Sequence, residues 1–359
     1  MIQVTRTFLP PRQEWLDLVD QAWASAQLTN NGPLAQRLEL ELEPWHGAKP
    51  LFVSNGTIAL QLAIRALEVE GEVITTPFSY VASTTAIIWE GCSPVMADID
   101  PGTFCIDPAR IEERITARTT AILATHVYGL PCDVAAIEEI ARRHGLKVIY
   151  DGAHAFGTEL HGKPLLSFGD AATCSFHATK IFHTAEGGSL RLSDPGRHER
   201  ARLLRQFGHV FDEHFLPGIN GKASELNAAM GLAVLPHMPD ILERRRALWA
   251  RYRERLAGAP VRLAHVPPGT RYNHSYFPVV LPSEGALLKV RDALLAEGIA
   301  PRRYFYPALS TLPYVRQHGS CPVAEDIAPR VLCLPLYHDL DERDQDRITG
   351  LLIANLRDR

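Results

Sequence analysis

The sequence predicts an α/β protein: a large unit on a mostly parallel sheet, residues 1–257, then a smaller α/β unit, residues 258–359. Three observations predict it. Between residues 51 and 151, short apolar or β-branched runs alternate with helical patterns, as strands joined by crossover helices do. Glycine and proline then cluster at 258–269 and interrupt the pattern. The length, 359 residues, suits a large unit with a smaller partner.

The elements follow in order. A helix is expected from Gln13 to Ala26, a turn at Thr29–Pro33 and a helix over Leu34–Leu42. Leu51-Phe52-Val53 is a short apolar run, and Ser54-Asn55-Gly56-Thr57 leads from it into Ile58–Val69, apolar almost all round and so a buried helix. Strands are expected at Glu72–Thr76, Pro94–Ala97 and Thr120–Thr125, with helices at Ser79–Trp89 and from Asp107-Pro108 to Ile115. Asp133 caps a helix that stops at His144-Gly145, where glycine suits the left-handed position. Lys147–Tyr150 is a strand ending on Asp151. Beyond Gly188, Asp194–Phe207 reads as a charged helix and Phe211–Gly221 as a loop. Ser224 opens a helix broken near Pro236–Pro239 and resumed to Leu256. The second unit has strands at Ser275–Leu281 and Ile299–Tyr304, and helices at Ser283–Glu297 and Asp341–Leu356.

Composition excludes several classes. The 46% apolar and 22% charged residues are those of a globular chain able to bury a core. A net charge of −4 leaves no basic field for nucleic acid, and Glu243-Arg244-Arg245-Arg246 reads as a solvated helix face. The six cysteines contain no Cys-x-x-Cys pair, so no zinc or dithiol site is expected. They suit reduced, buried thiols in a cytoplasmic protein. No run approaches the ~18 apolar residues of a membrane span, and no signal segment is read at the N-terminus.

One stretch organises the chemistry. Thr173–Gly188 reads TCSFHATKIFHTAEGG, with Lys180 beside Ile181 and Phe182 and before a glycine pair. Most lysines are solvated; this one sits in an apolar setting. Asp151 lies 29 residues upstream at a strand end. A lysine with an acidic partner is what pyridoxal 5′-phosphate (PLP) chemistry requires: an amine to carry the cofactor and a carboxylate to keep the pyridine nitrogen protonated. The phosphate needs N–H groups and hydroxyls at a helix start, and Gly56 and Thr57 meet that need, with Ser175 as a further hydroxyl. An ordinary capping turn is the plainer reading of the same residues. Tyr80 offers an aromatic face for the ring, though core packing is the default for it. His154, three residues past Asp151, is in reach of the ring or its 3′-oxygen. Arg302 and Arg303 could meet a diphosphate or carboxylates, or form a surface pair.

At these residues the chain resembles the DegT/DnrJ family of nucleotide-sugar aminotransferases, of the aspartate aminotransferase fold type I. The resemblance rests on Asn55–Leu60, Asp151-Gly152-Ala153-His154, Ser175–Lys180, Glu186-Gly187-Gly188 and Gly218–Leu226, in that order. It implies a PLP enzyme, catalysis by Lys180 and Asp151, and a homodimer in which the segment holding Asn220 reaches the neighbouring cofactor phosphate. Ser175–Lys180, Ile219–Lys222 and Arg302-Arg303-Tyr304-Phe305-Tyr306-Pro307 resemble the subgroup that aminates C4 of dTDP-4-keto-6-deoxyglucose, with glutamate as donor. Arg302, Arg303, Tyr304 and Tyr306 are then the candidates for substrate binding. The competing readings are amination at C3, a sugar dehydratase, in which histidine replaces the lysine, and a non-catalytic regulator on the same fold.

Overall fold

The computed structural model describes residues 1–315 and 319–357, so residues 316–318 and 358–359 of the expected second unit lie outside the described residues. Seven strands form the central sheet: β1 (Leu51–Val53), β2 (Glu72–Thr75), β3 (Ser93–Met96), β4 (Thr119–Thr125), β5 (Lys147–Asp151), β6 (Ala171–Ser175) and β7 (Gly188–Leu192). Their order across the sheet is β1-β7-β6-β5-β4-β2-β3. Strands β2 to β6 pair in parallel, while β7 runs antiparallel to β1 and β6.

The strands are apolar on both faces because both faces are covered. Phe52, Ile74, Ile122 and Tyr150 join one buried cluster, and their sequence neighbours Val53, Val73, Leu123 and Ile149 join another. The second cluster is closed by α3 (Gly56–Ala66), α4 (Val81–Trp89) and α7 (Pro195–Leu204). The first is closed by α1 (Arg12–Ser25), α2 (Pro33–Glu41), α5 (Pro108–Glu112), α6 (Val134–His144) and α8 (Glu225–Val234). Asp133 caps α6 at the Ala136 N–H, and Gly145 ends it at φ 67°, as its sequence implies. The start of α2 has no side-chain cap of its own. Instead the buried Glu225 carboxylate accepts from the N–H groups of Leu34 (2.7 Å) and Ala35 (3.0 Å), 191 and 190 residues away.

The long α9 (Met238–Arg255) follows a 3-10 turn at Leu235–His237, with Pro239 in its first turn, where a missing N–H costs nothing. Its second half contributes Leu248 and Tyr252, and its C-cap residue Leu256, to a third core. That core covers an antiparallel sheet of β8 (Arg262–Leu263), β9 (Phe277–Val280) and β10 (Val331–Leu334), packed with α10 (Glu284–Ala296) and α11 (Glu342–Arg357). Ile2–Gln3 pairs with Ile299–Ala300, which ties the N-terminus to this unit.

Several bounds differ from expectation. The helix expected to Ile115 stops at Glu112, and the one expected over 194–207 spans Pro195–Leu204. The strand expected over Ile299–Tyr304 covers only Ile299–Ala300, with a single bridge from Arg302 to Cys333 before the chain turns at Tyr304 and Phe305. Strand β10 goes unannounced in the sequence: four apolar residues are too few for periodicity to separate strand from helix.

Candidate active site

A pocket of about 290 Å³ opens at the C-terminal ends of β5 and β6. Its walls come from the first turns of α3 and α4, the end of β5, the β6–β7 connection, Arg302 and Tyr304. Ligands on open α/β sheets gather at these strand ends. A larger, more open cleft of about 590 Å³ lies between α9 and residues 263–274, but no candidate site residue faces it.

The first turn of α3 is shaped by its neighbours. Asn55 accepts from the Ile58 N–H at 2.8 Å, which leaves Gly56 and Thr57 as first-turn donors at the pocket wall. Strand β7 passes close behind: a Cβ on Gly188 would meet the Asn55 carbonyl carbon at 2.6 Å. A Cβ on Gly56 would meet that of Ser175 at 2.9 Å. These two glycines let β6, β7 and the helix start converge, so that Ser175 stands beside Gly56.

Lys180 lies on the tight connection between β6 and β7, where Ser175 pairs with Gly188. Its N–H donates to the His177 carbonyl at 2.8 Å, and the Phe176 N–H donates to that of Gly187 at 2.8 Å. Phe182 is an anchor: it stacks on Phe156 at 4.4 Å and is fully buried, so the apolar company of Lys180 is core. The amine lines the pocket together with Asp151. Burial pushes Lys180 down to about 8; Asp151 and then Cys174 oppose the fall, and Arg302 adds to it. Burial likewise pushes Cys174 up to about 12, so it stays a thiol.

Asp151 is buried at the end of β5. One carboxylate oxygen accepts from the Ala153 N–H at 3.0 Å, and the other accepts from the Ser83 hydroxyl at 2.6 Å. Ser83 in turn meets Ser79 at 2.8 Å, and Ser79 meets Thr125. Sequence reasoning missed Ser83; the signal was the run of hydroxyls in the first turns of α4. His154 is buried beneath the pocket and lines a small cavity shared with Lys180. Burial, with Lys180 and Arg302 nearby, holds its pKa well below the ordinary value, so its ring is neutral. Its Nε2 lies 3.3 Å from the Tyr304 hydroxyl, and its Nδ1 has no partner.

A half-buried lysine, a buried carboxylate and a helix-start cradle at one pocket could hold a phosphate-bearing aldehyde cofactor. The residues fit the group, each by its own chemistry.

The sequence matches the pattern of the DegT/DnrJ/EryC1/StrS aminotransferase family over residues 11–352. The chain belongs to this family. It is 42% identical to a dTDP-4-amino-4,6-dideoxy-D-glucose transaminase of Shigella dysenteriae, over 94% of this chain and 95% of the relative. A transaminase of the same name from Escherichia coli is 39% identical over 99% of both chains. Among solved structures, that of DesI in the presence of its TDP-sugar product superposes with a TM-score of 0.94 at 35% identity, covering 99% of this chain and 93% of that one.

In this sugar-nucleotide aminotransferase the remaining candidates divide. Tyr80 lines the pocket mouth at 51% exposure, tilted toward Tyr304 at 6.4 Å. Arg302 and Tyr304 also line it, the guanidinium 4.4 Å from the Tyr304 ring centroid. Arg303 does not face the pocket. It pairs with Glu284 at 2.5 Å and lies over the Tyr306 ring at 3.5 Å, and Tyr306 is half-exposed outside. Asn220 sits on the exposed loop before α8, away from the pocket of its own chain. Among the described residues, all six cysteines are buried and free, and no helix is long and apolar enough to cross a membrane.

Proposed function

We propose that the protein is a cytoplasmic, PLP-dependent homodimer that converts dTDP-4-keto-6-deoxyglucose to dTDP-4-amino-4,6-dideoxyglucose, with L-glutamate as amino donor. The observation that carries this reading is that Lys180 and Asp151 line one pocket, beside a helix start that presents Gly56 and Thr57. The identity to transaminases of that product supports the choice of sugar. Residues 1–257 form the cofactor-binding unit and 258–359 the smaller one.

PLP, when bound, supplies an electron sink that acidifies the carbon bearing the transferred nitrogen. Gly56, Thr57 and Ser175 would hold its phosphate, and Asn220 of the neighbouring chain would complete that cradle. Asp151, fixed by Ser83, would keep the ring nitrogen protonated. Tyr80 would supply an aromatic face for the ring, and the neutral His154 would serve its oxygen. A Lys180 pKa of about 8 leaves part of the amine unprotonated near neutral pH, so it would be the group to carry the cofactor. Lys180 Nζ would also carry a proton from and to the substrate carbon. Arg302 receives an anionic group of donor or sugar nucleotide, and Tyr304 shapes the floor. Arg303 and Tyr306 lie outside the pocket, Arg303 held by Glu284, so binding falls to Arg302 and Tyr304. Because both substrates use one site in turn, the kinetics are ping-pong.

The test is a product assay with dTDP-4-keto-6-deoxyglucose and L-glutamate, with NMR placing the new amine. Amination at C4 is expected. An amine at C3, or no amine, overturns the assignment.

A further inference from the structure

His154 lies next to the reacting groups, packed against the rings of Tyr276, Tyr304 and Phe305, yet its imidazole is poor in hydrogen bonds: one long contact to Tyr304 and an unpartnered Nδ1. Its main chain is held instead. The His154 carbonyl accepts from Asn273 Nδ2 at 2.7 Å and from the Ser275 hydroxyl at 2.8 Å. The same Nδ2 donates to the Phe156 carbonyl at 2.8 Å. Asn273 Oδ1 meanwhile accepts from the Ser275 N–H at 3.1 Å. Two donor hydrogens and an acceptor on one short planar group are needed here, and only an amide side chain offers them. Asn273 is fully buried. Gly129, at φ +85°, leaves the room: a Cβ there would meet the His154 carbonyl oxygen at 2.5 Å and Asn273 Oδ1 at 2.7 Å.

The clamp is itself clamped. Arg245, on α9 and nearly fully buried, donates from Nε to the His274 carbonyl at 3.0 Å and from Nη2 to that of Ser275 at 2.5 Å. Among the described residues no carboxylate pairs with Arg245, so the guanidinium is committed to these carbonyls. Tyr272 adds a hydroxyl bond to the Tyr128 carbonyl at 2.8 Å. The segment that leads into β9 thus grips the turn that follows Asp151.

We infer that Asn273 is a positioning residue for the reaction: through the His154 and Phe156 carbonyls it sets the turn that aims Asp151 and His154 at the cofactor. The inference rests on the proposed PLP chemistry for its consequence, but the grip on the turn can be read without cofactor. Leaving a buried carbonyl unpaired costs free energy wherever it happens. What distinguishes positioning from mere stability is where the loosening is felt.

The experiment compares Asn273→Ala and Ser275→Ala with Tyr252→Phe, which removes a buried hydroxyl bond to the Pro335 carbonyl in the third core, away from the pocket. Two readings are taken: hydrogen–deuterium exchange of residues 152–158 in the cofactor-free protein, and PLP affinity by absorbance titration. Asn273→Ala is expected to speed exchange in that segment and raise the PLP Kd ~10-fold. It should also lower kcat with little change in KM for the sugar nucleotide. Ser275→Ala should shift both readings in the same direction by less, and Tyr252→Phe should lower thermal stability with neither reading moved. Wild-type exchange and Kd in Asn273→Ala, or the same changes in Tyr252→Phe, overturn the inference. If Asn273→Ala does not fold, Ser275→Ala decides by the same readings. If the wild type takes up no PLP, the proposed function falls, and the exchange measurement still decides the grip.

Discussion

Lys180 is one residue whose chemistry depends on its surroundings more than on its type. Burial lowers its pKa to about 8, below the ordinary 10.5 of a free lysine. Between those values the unfolded chain binds more protons than the folded one, so the Lys180 contribution to stability rises with pH from about 8 to about 10.5. Below pH 8 its full cost remains. The cofactor-free wild type should therefore gain stability relative to Lys180→Met across that window, as read by urea unfolding at stepped pH; a constant difference would show an amine that titrates normally. Lys180→Met should also abolish turnover and the visible band of the PLP-loaded protein. Ser83 acts at the same scale. Its bond to the Asp151 carboxylate is of the charged type, typically ~1.5–3 kcal/mol. Ser83→Ala is expected to lower kcat about 10-fold or more with KM nearly unchanged. A loss under about twofold would mean that the Ala153 N–H alone holds the carboxylate.

At the scale of elements, helix starts carry the design. The start of α3 spends its cap on Ile58 and keeps Gly56 and Thr57 for the pocket. The start of α2 is capped by Glu225, a residue of α8 that is only 1% exposed. A Cβ on Gly32 would strike that carboxylate carbon at 2.6 Å, so glycine precedes Pro33 for a packing reason. Glu225→Ala leaves two buried N–H groups without acceptors and should cost ~2–4 kcal/mol in chemical denaturation. Glu225→Gln should recover part of the loss, since its amide oxygen still accepts one bond. Equal loss in both variants would mean that the charge matters more than the bonds.

For the whole molecule, the pocket of one chain lacks part of its proposed cradle. Asn220 stands outside it, on a loop that also exposes Phe207, Phe211 and Phe215. Large aromatics clustered on an exposed loop mark a contact surface. If that loop completes the neighbouring site, mixing two inactive variants restores activity. Lys180→Met and Asn220→Ala chains assembled at random should form heterodimers with one intact site each, giving about a quarter of wild-type activity. No recovery on mixing would place Asn220 in its own chain's site, and an active Asn220→Ala would place it in none.

The order of buried strands and helices was legible in the sequence, because both-faced burial leaves near-continuous apolar runs and caps leave short polar marks. Lys180 and Asp151 were legible too, since each breaks such a pattern at a strand end or in an apolar setting. Ser83, Asn273 and Arg245 were not. Their partners lie 68, 119 and 29 residues away, and local periodicity carries no information about such distances. By itself the sequence determined the fold class and the family, and it singled out Lys180 and Asp151, which the fold brings to one pocket. Only the tertiary structure decided that Arg302 faces the pocket while Arg303 turns to Glu284, and that a buried amide from the second unit grips the turn after Asp151. Adjacent side chains on an extended backbone point to opposite sides, and buried carbonyls take whichever donor the packing brings to them.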